Sequence, residues 1–454
     1  MSDTRTDPAP AETLPEEMQD HALEPVPLSR RKPLIQMIIV QIGWNISVSS
    51  FLVGGIIGGG TSLGEGLAAI LLGNLVLVAV STLVGLIGFR TGLTSYLLSR
   101  VVFGRYGSIV VSLLLGVLAM GFIGILMDTW GAAVHKLVPA IPSAAFVLAF
   151  AVAITLTAIF GFKGLARFSA VAVPIEIAIA VFALVRIGQS AGGFGDLPDY
   201  TPKAAIGFSV ALGAVVSTWV TGAALVGDVA RYAIRARDVL ISCFFGFVVG
   251  AGIFETIATL SAMKVGNPNF VVVMQGLGLL APAVVMLVLA LWNTADNNLY
   301  SSSLAFTNAS SMVGLRIRKP VWVIVAIVIA TLVAFAGFAD RFLSFLNIVG
   351  LVAPPFAGVV IAHFWLLGAL RRTGAQLTAN LPALRPEALL AWAVAAAAAK
   401  YTKTLGTDAV EGLVYGLVLY AVLGGLVLLV TRSRGRESGA PAVRAARPGR
   451  EVGA

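Results

Sequence analysis

The amino-acid sequence predicts an all-α polytopic membrane protein with 12 transmembrane helices, and three observations carry that prediction. Of 454 residues, 58% are hydrophobic and only 12% charged, with a mean hydropathy of +0.93. A water-soluble chain carries about 25% charged residues. The apolar residues fall in runs of roughly 20, enough to cross a hydrocarbon core as a helix, and lack the period-two alternation of barrel strands. The third observation is charge placement: with loops assigned to alternate sides, 24 of the 31 Lys and Arg residues fall on one side and 7 on the other.

Taken in order, the predicted spans are 34–57, 63–89, 108–135, 143–161, 168–188 and 205–227, then 239–263, 276–298, 320–338, 342–368, 387–404 and 410–430. One span more or fewer would invert the charge asymmetry midway, so the positive-inside rule favours twelve, with both termini cytoplasmic. Residues 1–29 hold seven acids and no apolar core before a cleavage site, which predicts a disordered tail rather than a signal peptide. Residues 432–454, rich in Arg, Gly, Ala and Pro, predict a second, basic disordered tail. The net charge of +9 therefore reflects topology and implies no nucleic-acid partner. Cys243 is the single cysteine, which excludes an internal disulfide and a cysteine-based metal centre.

Segment 6 holds the stretch around which the chain is organised, Ser217-Thr218-Trp219-Val220-Thr221-Gly222. A lipid-facing helix has no use for that mixture. The stretch predicts a broken helix whose open turn faces a substrate, with Trp219 as a stacking surface. Segment 1 carries Gln41-Ile42-Gly43-Trp44-Asn45-Ile46-Ser47 at a similar depth. Interruptions at corresponding positions five spans apart predict an inverted-repeat transporter.

Segment 8 reads Ala290-Leu291-Trp292-Asn293-Thr294-Ala295-Asp296-Asn297-Asn298. The carbonyl of Ala290 and the side-chain oxygens of Asn293 and Thr294, with carbonyls freed in segment 1, would cage a hard cation such as sodium. The same Asn and Thr serve equally well as hydrogen-bonding groups between neighbouring helices. Asp128, Glu176 and Glu255 also lie inside predicted spans. Intramembrane acids mark ion or proton pathways, or else find local partners on adjacent helices, the reading preferred for Glu176 and Glu255. Asp228 and Arg231 read as an i,i+3 ion pair. His135 and His363 are too isolated to bind a metal.

Several motifs, Gly73-Asn74-Leu75, Thr91-Gly92-Leu93-Thr94, Gly121-Phe122-Ile123-Gly124, Asp228-Val229-Ala230-Arg231-Tyr232, Ala295-Asp296-Asn297-Asn298-Leu299-Tyr300 and Pro354-Pro355 among them, occur in an order that resembles the nucleobase–cation symporter family. That family comprises cytosine, purine, hydantoin and allantoin permeases, and the motif order is most similar to its bacterial cytosine permeases. The resemblance spans residues 25–430. It implies a leucine-transporter-type 5+5 inverted repeat over 30–370, followed by two additional helices over 371–431.

It further implies that Trp219 stacks on a flat heterocycle, with Thr218 and Thr221 beside it and Phe122 on the other face of the ring. Sodium would be held by the carbonyls of Gly43, Ile46 and Ala290 with Asn293 and Thr294; a shift of one residue in segment 1 would substitute Ser47. The chain also departs from the pattern. Ala119 and Ala295 stand where cytosine permeases have Gln and Asn, and His363 where relatives tend to have Asp, so the substrate need not be cytosine. Asp128, six residues beyond Phe122, is a further substrate-binding candidate.

The function expected is import of a nucleobase or related heterocycle by sodium symport with alternating access. The expected setting is a bacterial inner membrane, as a monomer with no organic cofactor. The alternative is a proton-coupled symporter of another small solute using Asp128 or Glu255. No His-Glu-x-x-His or Gly-x-Ser-x-Gly motif points to an enzyme, and no continuous polar pore points to a channel.

Overall fold

The computed structural model describes residues 20–189, 192–202, 204–266, 278–337, 341–402 and 404–437. Among them every regular element is helical, apart from one isolated bridge between Lys32 and Ala233. The helices form successive blocks at the places hydropathy marks. The first half holds α1 (Leu34–Asn45), α2 (Val48–Gly60), α3 (Leu63–Thr91), α4 (Ser95–Leu137), α5 (Ser143–Ala158), α6 (Gly161–Gln189) and α7 (Phe208–Leu225), followed by the short α8 (Gly227–Ala230). The second half holds α9 (Ala236–Phe244) and α10 (Gly252–Val265), joined by a π-helical turn over Phe245–Ala251, then α11 (Leu280–Met312), α12 (Lys319–Phe335) and α13 (Phe342–Ile361). It ends with a short α14 (Gly374–Ala379), α15 (Pro386–Tyr401) and α16 (Asp408–Glu437).

By length and apolar character alone, 7 of the described helices could cross a membrane, or 8 counting the bent pair α1–α2. The expected count of twelve is consistent with this arrangement for identifiable reasons. Helices α5, α12 and α15 are only 16, 17 and 16 residues long. Helix α11 is long but lined with buried polar groups, among them Asn293, Thr294, Asp296, Asn297, Ser301, Thr307 and Asn308. A polar stripe that lowers mean hydropathy is tolerated at membrane depth when it faces protein rather than lipid. Helix α11 packs most extensively on α4, and also on α5, α6, α12 and α1.

Local sequence explains the bends. Helix α4 kinks at Gly104, whose φ of 81° is left-handed and whose absent Cβ would sit 2.8 Å from the Leu384 Cα. Only glycine meets both conditions. Pro174 lies inside α6, and Pro354 with Pro355 inside α13.

The expected tail of residues 1–29 begins packing earlier than that. Asp20, His21 and Ala22 are buried, whereas residues 1–19 lie outside the described part. The reason is Arg231, fully buried on the loop after α8. It donates to the carbonyls of His21 at 2.8 Å and Asp20 at 3.0 Å, to the Tyr300 hydroxyl at 2.8 Å and the Tyr232 hydroxyl at 3.2 Å, and from Nε to the Asp228 carbonyl at 3.1 Å. The Asp20 carboxylate in turn accepts from Tyr232 at 2.5 Å and from the Phe162 amide at 3.4 Å, with the Lys319 ammonium 4.0 Å away. Asp228 and Arg231 are thus no simple i,i+3 ion pair. The Asp228 carboxylate accepts from the Ser95 amide at 2.7 Å and the Ser301 hydroxyl at 3.1 Å instead. At the other terminus α16 runs to Glu437, so the first residues of the expected tail from 432 are helical; residues 438–454 lie outside the described part.

Removing one member of a buried charged network costs about 3–5 kcal/mol. Arg231→Ala should therefore lower the melting temperature of detergent-purified protein by several degrees, and an unchanged melting curve would show that this cluster does not hold the helices together.

Candidate functional site

Segment 1 is broken where expected. Helices α1 and α2 meet at 59°, and Ile46 (φ −76°, ψ 107°) and Ser47 (φ −147°, ψ 156°) are extended between them. Opening the helix frees carbonyls that would otherwise bond within it. The Ser47 side chain caps α2 by accepting from the Ser49 amide at 3.3 Å.

Segment 6 differs from expectation. Ser217 to Gly222 is continuous helix inside α7, and the chain departs from regular helix only at Val226. The polar residues need no open turn: the Thr218 hydroxyl bonds back to the Ala214 carbonyl at 2.8 Å, a common way for a helical threonine to satisfy itself. One glycine costs a helix only about 1 kcal/mol.

A cavity of about 50 Å³ opens between these elements, lined by Trp44, Ser49, Phe122, Thr218, Trp219 and Thr221, among others. It has room for about four waters, so a ring can enter only if side chains swing aside. Trp219 is 6% exposed, and its indole N–H donates to Ser50 Oγ at 3.1 Å. Phe122 packs against Phe345, ring centroids 6.0 Å apart. Buried Ser49 Oγ and Thr221 Oγ1 have no hydrogen-bond partner among the described residues. Buried hydroxyls are seldom left unsatisfied, and both of these line the cavity.

The structure also brings together the groups expected around a cation. Thr294 Oγ1 donates to the freed Ile46 carbonyl at 3.3 Å. Asn293 Oδ1 accepts from Ser169 Oγ of α6 at 2.8 Å. Gly43 abuts both partners: a Cβ there would lie 2.8 Å from Ser169 Oγ and 3.0 Å from Asn293 Oδ1. Ala290, one turn before Thr294, packs in the same apolar cluster as Ile42 and Ile46. Thr294 belongs to both regions, since it also lines the cavity.

Asp128 does not line that cavity. Six residues past Phe122 it stands about 9 Å further along α4 and turned to another side. Glu255 accepts from the Asn74 amide of α3 at 2.6 Å; Glu176 lies within 3.4 Å of Asn293 Nδ2. Both acids thus bridge helices. His363 contacts the Tyr420 hydroxyl at 2.8 Å.

Sequence reasoning missed Trp44, Ser49, Asn298, Ser301 and Val349 as lining residues. Asn298 was in plain sight, one turn beyond Thr294 on the same face of α11. Trp44 and Ser49 flank the segment-1 break, the signal that could have found them. The larger cavity, about 400 Å³, lies elsewhere, at the face carrying the N-terminal segment, where Arg30, Lys32, Lys163 and Arg167 line it.

Broken helix, small central cavity and polar face of α11 are the features of a membrane transporter with a central site. The sequence profile of permeases for cytosine/purines, uracil, thiamine and allantoin matches residues 25–399, and the chain belongs to that family. It is 29% identical over 403 residues to the cytosine permease of Escherichia coli strain K12, covering 89% of this chain and 94% of that one. Among solved structures it is similar to Mhp1, a nucleobase-cation-symport-1 family transporter in a closed conformation with bromovinylhydantoin bound. That likeness has a TM-score of 0.77 at 20% identity and covers 89% of this chain and 95% of that one. A Na+-coupled sialic acid symporter in an outward-open state is similar at a TM-score of 0.66 and 13% identity, over 88% and 90% of the two chains. The fold is thus that of leucine-transporter-type carriers.

The close approach at Gly43 generates a prediction. Gly43→Ala should push Ser169 and Asn293 apart and cost about 1–3 kcal/mol of stability, as overpacking does. Ser169→Ala in the same chain, which removes the nearest atom, should restore part of the loss. Independent, additive effects in a double-mutant cycle would show that these groups do not touch.

Proposed function

We propose that the protein imports a nucleobase or a related flat heterocycle across a bacterial inner membrane by sodium symport with alternating access. One observation carries the reading: two aromatic rings, Phe122 and Trp219, line one small cavity together with two buried hydroxyls that have no hydrogen-bond partner among the described residues. The rings offer faces to a planar substrate, and Thr218, Thr221, Ser49 and Asn298 offer groups to its polar edge. Ala119, where cytosine permeases carry Gln, lines the same cavity, so this site reads the ring edge with a different donor set.

Sodium would sit among the carbonyls of Gly43, Ile46 and Ala290 and the oxygens of Asn293 and Thr294. The relatives' names support this coupling: the fold neighbours include a cation symporter and a Na+-coupled symporter. With sodium in place, the segment-1 break is held in one geometry and the cavity is favoured for substrate. Each ligand must then raise the affinity of the other by the same factor.

A thermal-shift panel of nucleobases, hydantoins and allantoin, each with and without sodium, tests the reading, because a ligand of the folded state raises its melting temperature. The expected result is one heterocycle that stabilises the protein, and more so in sodium. Trp219→Ala should weaken that heterocycle about 5- to 150-fold, the loss of 1–3 kcal/mol of stacking, and Thr294→Ala should raise the sodium concentration needed for uptake. Uptake that ignores sodium and follows pH instead would favour a proton-coupled carrier working through Glu255.

A further inference from the structure

We propose that the basic cavity between α1 and α6 binds the phosphate headgroup of an anionic phospholipid. This site is separate from the central cavity and does not depend on what that cavity carries.

Two facing stripes of side chains build it. On α6, Lys163, Ala166, Arg167 and Ala170 line the cavity, and their i, i+3, i+4, i+7 spacing places them on one helix face. From the other side come Arg30 and Lys32, just before α1, with Gln36 and Ile39 on its first two turns. Helices α1 and α6 pack on each other, so the two stripes bound one space of about 400 Å³. The short side chains of Ala166 and Ala170 leave room that longer ones would fill. Arg31 turns away from it and donates to the carbonyls of Phe89 at 2.8 Å and Ala233 at 2.9 Å.

Charge identifies the class of occupant. Arg30, Lys32, Lys163 and Arg167 are all cationic, and among the described residues Asp20 is the one acid that lines the cavity. Its carboxylate is already engaged. It accepts from the Tyr232 hydroxyl and the Phe162 amide, and it lies 3.8 Å from Arg231 Nη2 and 4.0 Å from Lys319 Nζ, both buried. One carboxylate between two buried cations cannot also neutralise the four that line the cavity. The positive-inside rule places Lys and Arg near helix ends, but it does not require four of them to converge on one cavity from two helices.

Depth favours a lipid over a soluble phosphate. Ala170 lies about 10 Å beyond Lys163 along α6, so the cavity runs from a basic mouth to an apolar floor of Ile39 and Ala170. One turn from Ile39 and from Arg167, on the same helix faces, Ile35 and Val171 are 60% and 64% exposed. Exposed apolar side chains at that height meet hydrocarbon in a bilayer. A soluble anion has no use for that continuation. A phospholipid would set its phosphate among the cations and lay its acyl chains along the apolar surface, as basic pockets between membrane helices allow.

The test follows the melting temperature of the whole, detergent-purified chain while lipid is titrated into the micelles. The lipid is either phosphatidylglycerol or zwitterionic phosphatidylcholine with the same acyl chains. Phosphatidylglycerol should raise the melting temperature and phosphatidylcholine should not, since a ligand of the folded state stabilises it. In the double variant Arg30→Gln, Arg167→Gln, at two exposed positions, the phosphatidylglycerol content that gives half the shift should rise about 30-fold, or ~5-fold for each charge removed. The control Arg316→Gln, Arg318→Gln removes two exposed charges that do not line the cavity and should leave the half-shift content unchanged. Equal losses in the two double variants, or no loss in the first, overturn the site, as does phosphatidylcholine acting as well as phosphatidylglycerol. Inorganic phosphate alone reproducing the shift, in the unmodified protein but not in Arg30→Gln, Arg167→Gln, would overturn the lipid and leave a site for soluble phosphate.

Discussion

A guanidinium without access to water must place its N–H groups on acceptors, and the requirement at Arg231 organises one end of this protein. Its acceptors come from the N-terminal segment, the end of α8, the loop after it and α11. Asp20 extends the cluster to the start of α6 and, through Lys319, to the start of α12. Elements from both halves of the chain thus converge on a single buried cation. Hydrophobic burial between helices is only weakly discriminating inside a bilayer, where lipid tails are as apolar as side chains. Directional bonds such as these fix which helices meet and at what height.

The middle of the molecule is organised by the polar face of α11. At one level Asn293 and Thr294 meet the segment-1 break and Ser169 of α6. A turn further on, Asn298 and Ser301 face the cavity. Further still, Asn308 accepts from Arg100 at 2.5 Å and donates to Ser112 at 2.8 Å. Asn293, Thr294, Ser301 and Asn308 are each matched to an element that crosses α11 at their height, so the helix acts as a polar beam inside an apolar bundle. That explains why a helix of 33 residues fails a hydropathy criterion and yet sits at the centre.

How much of this was legible in the sequence follows from the same physics. Apolar runs locate lipid-facing helices well, because exposure to hydrocarbon leaves few residue choices. They place α11 poorly: 276–298 was expected, and Leu280–Met312 is found, because its second half is enclosed by protein and free to be polar. The break in segment 1 was legible because its glycine and polar residues interrupt an apolar run. The same signal misled in segment 6, where a back-bonded threonine and a single glycine leave α7 intact. The expected disorder of residues 20–29 failed for another reason. Composition reports the average behaviour of a tail and is blind to two carbonyls and one carboxylate that fit a cluster 210 residues away. Trp44 and Ser49 were missed because their role depends on the 59° bend, which turns side chains on either side of a break toward one space.

The tether between Trp219 and Ser50 has a mechanical consequence. Ser50 lies in the first turn of α2, and Ile46, whose carbonyl bonds to Thr294, lies in the extended break before it, so the indole and that carbonyl are fastened to the two sides of one joint. A swing of α2 about the break shifts the indole's anchor relative to that carbonyl, since only the two extended residues and the start of α2 separate them. Signalling between the two sides therefore needs no relay of side chains through the bundle. The backbone of the break is itself the connection, with a hydrogen bond to α11 on one side and one to α7 on the other.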